Sequence, residues 1–237
     1  MSLVLSIDTS TYICSVALHE DGIIKAEADL YLEKSHSGSL TQLIEQVLLH
    51  GDYQMEDISA VAVSNGPGSY TGLRIGMSTA KGLCFALDVP LIGVSSLDAM
   101  ALQVSKFILE GRSQLLVPMI DARRMEVFYK YLEPDLTEVQ KLGNLILEED
   151  TFDKLLSEND EIILFGNGAE KAAELYQDKR NLKIIEGVTP KAKFMGDLAF
   201  NKFQRQEFES LAYFEPNYGK EFFSPKSKKK PFVNLRS

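Results

Sequence analysis

The segment Ser64-Asn65-Gly66-Pro67-Gly68-Ser69-Tyr70-Thr71-Gly72-Leu73-Arg74-Ile75-Gly76 holds the densest cluster of residues that could do chemistry. Glycines at 66, 68 and 72 let a backbone turn sharply and approach a neighbour closely. A helix opening just after them would present free N–H groups and partial positive charge, which suits a phosphate or carboxylate. No Gly-Lys-Ser/Thr closes the segment, so it is not a Walker loop, and its glycines are not spaced as in the dinucleotide fingerprint. The other reading is structural: a strand-to-helix turn whose glycines serve close packing.

Two carboxylates end apolar runs, Asp8 after Leu3 to Ile7 and Asp121 after Leu115 to Ile120. Strand ends of this kind often form nucleotide and phosphotransfer sites. Each carboxylate could equally cap a turn or pair with Arg123 or Arg124, which themselves suit phosphate or RNA. Gly166-Asn167-Gly168 is a second glycine-rich turn, able to approach a base or ribose or simply to open a helix. Asp8, Asp121, Gly166 and Gly168 are therefore the positions a nucleotide would use. The histidines are His19, His36 and His50, and the cysteines are Cys14 and Cys84. None has metal-ligand spacing, and neither cysteine has an identifiable activating base. Two reduced, buried thiols and no metal are expected.

Positioning these residues takes alternating strands and helices. Leu3 to Ile7, Ile13 to Leu18 and Ile23 to Leu30 read as three strands, with Asp21-Gly22 a hairpin turn. Leu40, Leu43, Ile44, Val47 and Leu48 make one apolar face of a helix over Ser37 to His50. Ile58 to Val63 is a buried strand. The glycine-rich segment then leads into a helix that Thr71 can cap and that runs to about Leu87. A strand over Leu91 to Val94 and a helix from near Ser96 to about Leu109 complete the first half. The second half restarts with strands at Leu115 to Ile120 and Met125 to Leu132. A strand over Asp160 to Phe165 follows, then helices over Ala169 to Tyr176 and about Phe194 to Gln204. This repeated order predicts two similar α/β lobes. Their expected bounds are 1-103 and 104-224, with the 194-204 helix able to return to the first lobe and a basic tail over 225-237.

The chain has 237 residues, 45% hydrophobic and 25% charged, with formal net charge -9. Those fractions fit a folded globular protein able to bury a core. The acidic balance opposes a stand-alone RNA-binding module, which normally carries a basic face. No run is long and apolar enough to span a membrane, and no basic n-region precedes the first apolar run. A cytoplasmic location is expected.

Several segments taken together resemble the TsaB (YeaZ) family. They are Ile7-Asp8-Thr9-Ser10, Cys14-Ser15-Val16-Ala17-Leu18, His36-Ser37, the run Gly66 to Gly76, Ala80-Lys81-Gly82-Leu83, Gly93-Val94-Ser95-Ser96-Leu97 and Asp121-Ala122-Arg123-Arg124. Phe214-Glu215-Pro216-Asn217-Tyr218 is similar to the family's closing Pro-x-Tyr segment, although Gly219-Lys220 stands where Leu-Arg is expected. The resemblance implies a two-lobed actin/Hsp70/sugar-kinase-like (ribonuclease H-like) α/β fold. It also implies a part in transferring threonylcarbamoyl to the adenosine beside the tRNA anticodon. In that system the catalytic member is a paralogue, TsaD. A TsaE-type ATPase joins it, and a TsaC-type enzyme supplies threonylcarbamoyl-adenylate.

TsaD-type proteins hold a metal with His-x-x-x-His, and that segment aligns with Ser95 to Met100. Ser96 and Met100 stand at the ligand positions, and neither suits that metal. Superfamily members that use ATP carry Asp-x-Gly-Ser/Thr in the first hairpin, where this chain has Ser10 in place of glycine. The resemblance thus implies a scaffold with no catalytic residues and no cofactor, pairing with TsaD and touching tRNA only through the complex. It places the partner interface on the first two helices and the glycine-rich loop: His36, Leu40, Leu43, Ile44, Val47, Gly66, Gly68, Tyr70, Thr71, Gly72, Leu73, Arg74, Ile75 and Ser78. The same surface could self-pair into a homodimer. The alternative is an independent ATP-dependent phosphotransferase or peptidase of the same fold.

Overall fold

The structure is a computed structural model, and it describes residues 2–31, 38–108 and 113–219. His36 and the 225–237 tail lie outside the described residues. Strands β1 (Leu3–Asp8), β2 (Ile13–Glu20) and β3 (Ile23–Tyr31) form an antiparallel meander. At the first turn Asp21 has φ 49° and Gly22 φ 83°, the left-handed pair that a two-residue hairpin matching strand twist requires. Helix α1 (Leu40–Gly51) leads to β4 (Ile58–Gly66), which lies parallel to β1. Helix α2 (Tyr70–Leu87) leads to β5 (Leu91–Ser95), parallel to β4, and α3 (Ser96–Ser105) follows.

The second half repeats the plan. Strands β6 (Gln114–Asp121), β7 (Glu126–Leu132) and β8 (Glu138–Ile146) form a meander. Then come α4 (Asp153–Glu158), β9 (Glu161–Phe165), α5 (Ala173–Tyr176), β10 (Leu182–Ile185) and α6 (Gly196–Gln204). The sheets run β3-β2-β1-β4-β5 and, from the corresponding edge, β8-β7-β6-β9-β10. The same strand order in both sheets is the two-lobed α/β architecture that the repeated pattern predicts. β8, α4 and β10 had no distinct signal in the sequence. β8 is an edge strand whose burial pattern is mostly exposed, so it lacks the apolar alternation of a half-buried strand.

Every residue of β1 is buried because both faces of its sheet are covered. One face packs Leu5, Ile7 and Val63 against Leu43, Ile44 and Val47 of α1 and Met77 and Ala80 of α2. The other packs Val4, Ala17, Ala62 and Ile92 against Ala99 of α3 and Ala192, Met195 and Ala199 around the start of α6. The second sheet receives Leu97, Met100, Ala101 and Val104 of α3 against Leu116, Ile120, Phe128 and Ile163. The two halves therefore share covers: α3 follows the first sheet and packs on both, through Ala99 on the first and Leu97, Met100, Ala101 and Val104 on the second, while α6 follows the second sheet but packs on the first.

After α6 the chain runs back along β5. Glu209 N–H donates to Leu91 O at 2.9 Å, Phe214 lies against Gly93, and Asn217 N–H donates to Asn65 O at 2.7 Å. Among the described residues no helix is long and apolar enough to cross a membrane.

Candidate functional site

The glycine-rich loop is built against the Asp8-Thr9-Ser10 turn. Ser69, not Thr71, caps α2: its Oγ accepts from Gly72 N–H at 3.2 Å, and Thr71 already lies inside the helix. Ser69 N–H donates to Ser10 O at 2.7 Å, and Thr9 Oγ1 donates to Gly72 O at 2.7 Å. The glycines make this approach possible. A Cβ at Gly68 would lie 2.3 Å from Ser10 O, one at Gly72 2.0 Å from Thr9 O, and one at Gly76 2.3 Å from Thr9 Oγ1. Gly66, at φ +102°, would meet Asn217 O at 2.4 Å and is the one loop glycine held in the left-handed region. The loop that reads as a possible phosphate cradle is thus spent on contact with its own chain.

Asp8, Thr9 and Ser10 are all buried beneath it. Asp8 Oδ1 accepts from Ser10 N–H at 2.9 Å and from Ser10 Oγ at 2.8 Å. The second oxygen, Oδ2, is close enough to Ser64 Oγ to favour the carboxylate, yet neither buried atom reaches hydrogen-bond geometry. Burial pushes the Asp8 carboxyl above the usual range, against those hydrogen bonds, with Asp29 adding to the rise. A carboxylate so enclosed has no open coordination position to offer a phosphate-bound cation. Cys14 and Cys84, also buried, are pushed up to about 11, chiefly by burial. Such thiols are protonated and unreactive at neutral pH.

In the second lobe Asp121 sits at the end of β6, partly exposed, and forms an ion pair with Lys171. Lys171 Nζ also donates to Arg124 O at 2.6 Å, so it clamps a turn in which Arg123 and Arg124 both have positive φ. Asp121 N–H donates to Asn167 Oδ1 at 3.0 Å, joining the Asp121 turn to Gly166-Asn167-Gly168. Gly166, at φ +97°, mirrors Gly66, and a Cβ there would meet Met119 O at 2.2 Å. Lys171 escaped the sequence reading because a lone helical lysine carries no pattern. At the start of α3, Ser96 Oγ donates to Pro67 O at 2.6 Å within the first lobe, and Met100 packs in the second-lobe core. Both residues are consumed by packing. Among the described residues no group of three or more His, Cys, Asp or Glu is placed to hold a metal.

The apolar residues assigned to a partner surface lie elsewhere than expected. Leu40, Leu43, Ile44, Val47 and Leu73 are buried in the core of their own lobe. A helix with a single apolar stripe turns that stripe to its own sheet. Gly66 and Gly72 are likewise buried, and Gly68 and Ile75 are half-buried. Tyr70, Thr71, Arg74 and Ser78 are exposed along α2, where Gly82 and Phe85 continue the same face. Phe85 is 84% exposed, and Leu49 on α1 is 74% exposed. α1 leads into β4 and α2 into its parallel neighbour β5, so Leu49 and Phe85 lie at the same end of this layer. Both stand off the periodic stripe, and that is the signal by which a sequence reading could have found them.

The chain matches the family model for TsaD, tRNA N6-adenosine threonylcarbamoyltransferase, over residues 29–227. It is 36% identical over 188 residues to the tRNA threonylcarbamoyladenosine biosynthesis protein TsaB of Bacillus subtilis, covering 78% of this chain and 79% of that protein. YeaZ from Pseudomonas aeruginosa superposes with TM-score 0.76 at 25% identity, covering 92% of this chain and all of that one. The activator of 2-hydroxyisocaproyl-CoA dehydratase from Clostridium difficile, with bound ADPNP, has the same fold at TM-score 0.50 and 13% identity, covering 88% of this chain and 98% of that one. Sequence kinship along most of both chains and a shared two-lobed actin/Hsp70/sugar-kinase-like fold agree: the chain belongs to the TsaB family of TsaD-type proteins.

Proposed function

We propose that this chain is a non-catalytic subunit in tRNA threonylcarbamoyladenosine formation. It pairs through the α1/α2 layer with a TsaD-type catalytic paralogue, works alongside a TsaE-type ATPase, and meets tRNA only within that assembly. One observation carries the reading: glycines 66, 68 and 72 are filled by the chain's own Asn217, Ser10 and Thr9 atoms. The turn that would approach nucleotide phosphates is thereby closed over a buried Asp8. What remains available is surface, and α2 presents Tyr70, Arg74, Ser78, Gly82 and Phe85 along one side. Small residues in the middle of such a face allow a partner helix to approach, while aromatic and arginine side chains at its ends supply interface anchors. Without the partner, the same face pairs two copies of this chain.

The test is reconstituted tRNA threonylcarbamoylation with TsaC-, TsaD- and TsaE-type proteins from the same organism, run with and without this chain. Product should form only when the chain is added, and the chain alone should turn over nothing. Equal product without it, or phosphotransfer or peptidase activity from the pure chain, would overturn the proposal.

A further inference from the structure

The C-terminal segment ends on the start of α2. Arg74 Nε donates to Tyr218 Oη at 3.1 Å, and the Arg74 guanidinium lies 4.3 Å from the centre of the Tyr70 ring. The Tyr70 and Tyr218 rings are 4.7 Å apart at 38°. Asn217, one residue earlier, is bonded to Asn65 and packed on Gly66, which fixes where Tyr218 emerges. A residue 144 positions distant in sequence thus completes the first turn of α2.

The cluster is costly for a purely internal role. Tyr70 is 40% exposed, Arg74 is exposed, and their contacts lie at the surface, where a cation over a ring contributes little to folding. Yet it ties a long arginine side chain down at two points, at Nε and over the ring. Nε is committed to Tyr218, while among the described residues the two terminal nitrogens have no hydrogen-bond partner. A guanidinium fixed at one edge and, among the described residues, unbonded at the other can receive a carboxylate or helix-end carbonyls.

We propose that Tyr218 is a positioning residue for partner binding, holding Arg74 over Tyr70 so that the free guanidinium edge docks on an acceptor of the TsaD-type paralogue. This rests on the pairing proposed above. The occupant follows from kinship: the partner is built on the same fold, and pairing of like surfaces sets this α2 face against its counterpart. The closing Pro-x-Tyr segment is then part of the partner surface instead of a loose end.

The experiment is a double-mutant cycle on the full chain, with Kd for the TsaD-type protein measured by calorimetry and folding checked by thermal melting. Arg74→Ala should weaken binding by roughly 30-fold, as expected of an interface anchor. Tyr218→Phe keeps the ring but removes the acceptor, and should weaken binding about 10-fold with little change in melting temperature. In the Arg74→Ala background Tyr218→Phe should have no further effect. Equal losses in both backgrounds, or unchanged Kd in both single variants while the wild type binds, would overturn the inference. If the wild type itself does not bind the partner, the pairing proposal fails and this inference falls with it.

Discussion

Replacing Asp8 by Asn tests whether the first turn is a relic of packing or a working site. The Asp8 side chain is fully buried, with one oxygen bonded twice to Ser10 and the other unpaired beside Ser64 Oγ. An Asn side chain keeps the acceptor for Ser10 and places an N–H₂ where Oδ2 lies, able to donate to Ser64. A buried polar atom without a partner costs about 1–3 kcal/mol, and more when charged. Asp8→Asn should therefore stabilise the fold at neutral pH by about 1–3 kcal/mol. For a chain of this size that is roughly 2–10 °C in melting temperature. The pH dependence has a definite sign. The folded pKa is raised above the unfolded value of 3.8, so the folded state binds more protons in between. Stability from Asp8 is full below the unfolded value and is lost as pH rises through the folded one. The advantage of Asn should thus shrink as pH falls toward 4. Melting curves at pH 7 and pH 4 measure it, and reconstituted tRNA modification should be unchanged. A lower melting temperature at pH 7, or lost modification with folding and pairing intact, would refute the argument that this carboxylate is enclosed and idle.

Gly72→Ala forces a Cβ to within 2.0 Å of Thr9 O and should cost about 1–3 kcal/mol by melting. Gly82→Ala meets no atom within 4 Å and should instead gain about 1 kcal/mol from helix propensity, yet weaken partner binding by obstructing helix approach. Phe85→Ser should leave melting within about 0.5 kcal/mol of wild type while weakening the complex, which calorimetry and melting separate. His19 is buried between Ser6 Oγ and Lys193 O, and burial holds its pKa below the usual 6.5. Below that value the unfolded chain takes up a proton the folded chain resists. Wild type should therefore lose more melting temperature between pH 7 and pH 5 than His19→Gln; equal losses would assign the acid sensitivity elsewhere.

The succession of elements in the first half and the glycine-rich turn were legible in sequence because both rest on local signals: alternating apolar runs, Asp21-Gly22, and glycines clustered between a strand and a helix. What those glycines touch was not legible. Whether Gly72 faces a phosphate or Thr9 O depends on a pairing across 63 residues, which local pattern does not encode. The burial of the apolar side chains expected at a partner surface has a related reason. An apolar stripe announces burial, and α1 had only one stripe to bury. The exposed apolar side chains Leu49 and Phe85 are single exceptions to that stripe, which periodicity treats as noise. Tyr218 is the extreme case, since its meaning depends wholly on Arg74 and Tyr70 being near.

The sharing of covering helices also sets an order for synthesis. The first sheet is complete once Ser95 is made, but the Ala192, Met195 and Ala199 side chains that close its inner face come roughly a hundred residues later. At translation rates of about 5–20 residues per second, that face stays incompletely covered for roughly 5–20 s. Over that interval Val4, Ala17, Ala62 and Ile92 have Ala99 of α3 beside them but not Ala192, Met195 and Ala199. The nascent first half is then a half-capped sheet, open to chaperones and to mispairing, and it closes only as α6 clears the ribosome.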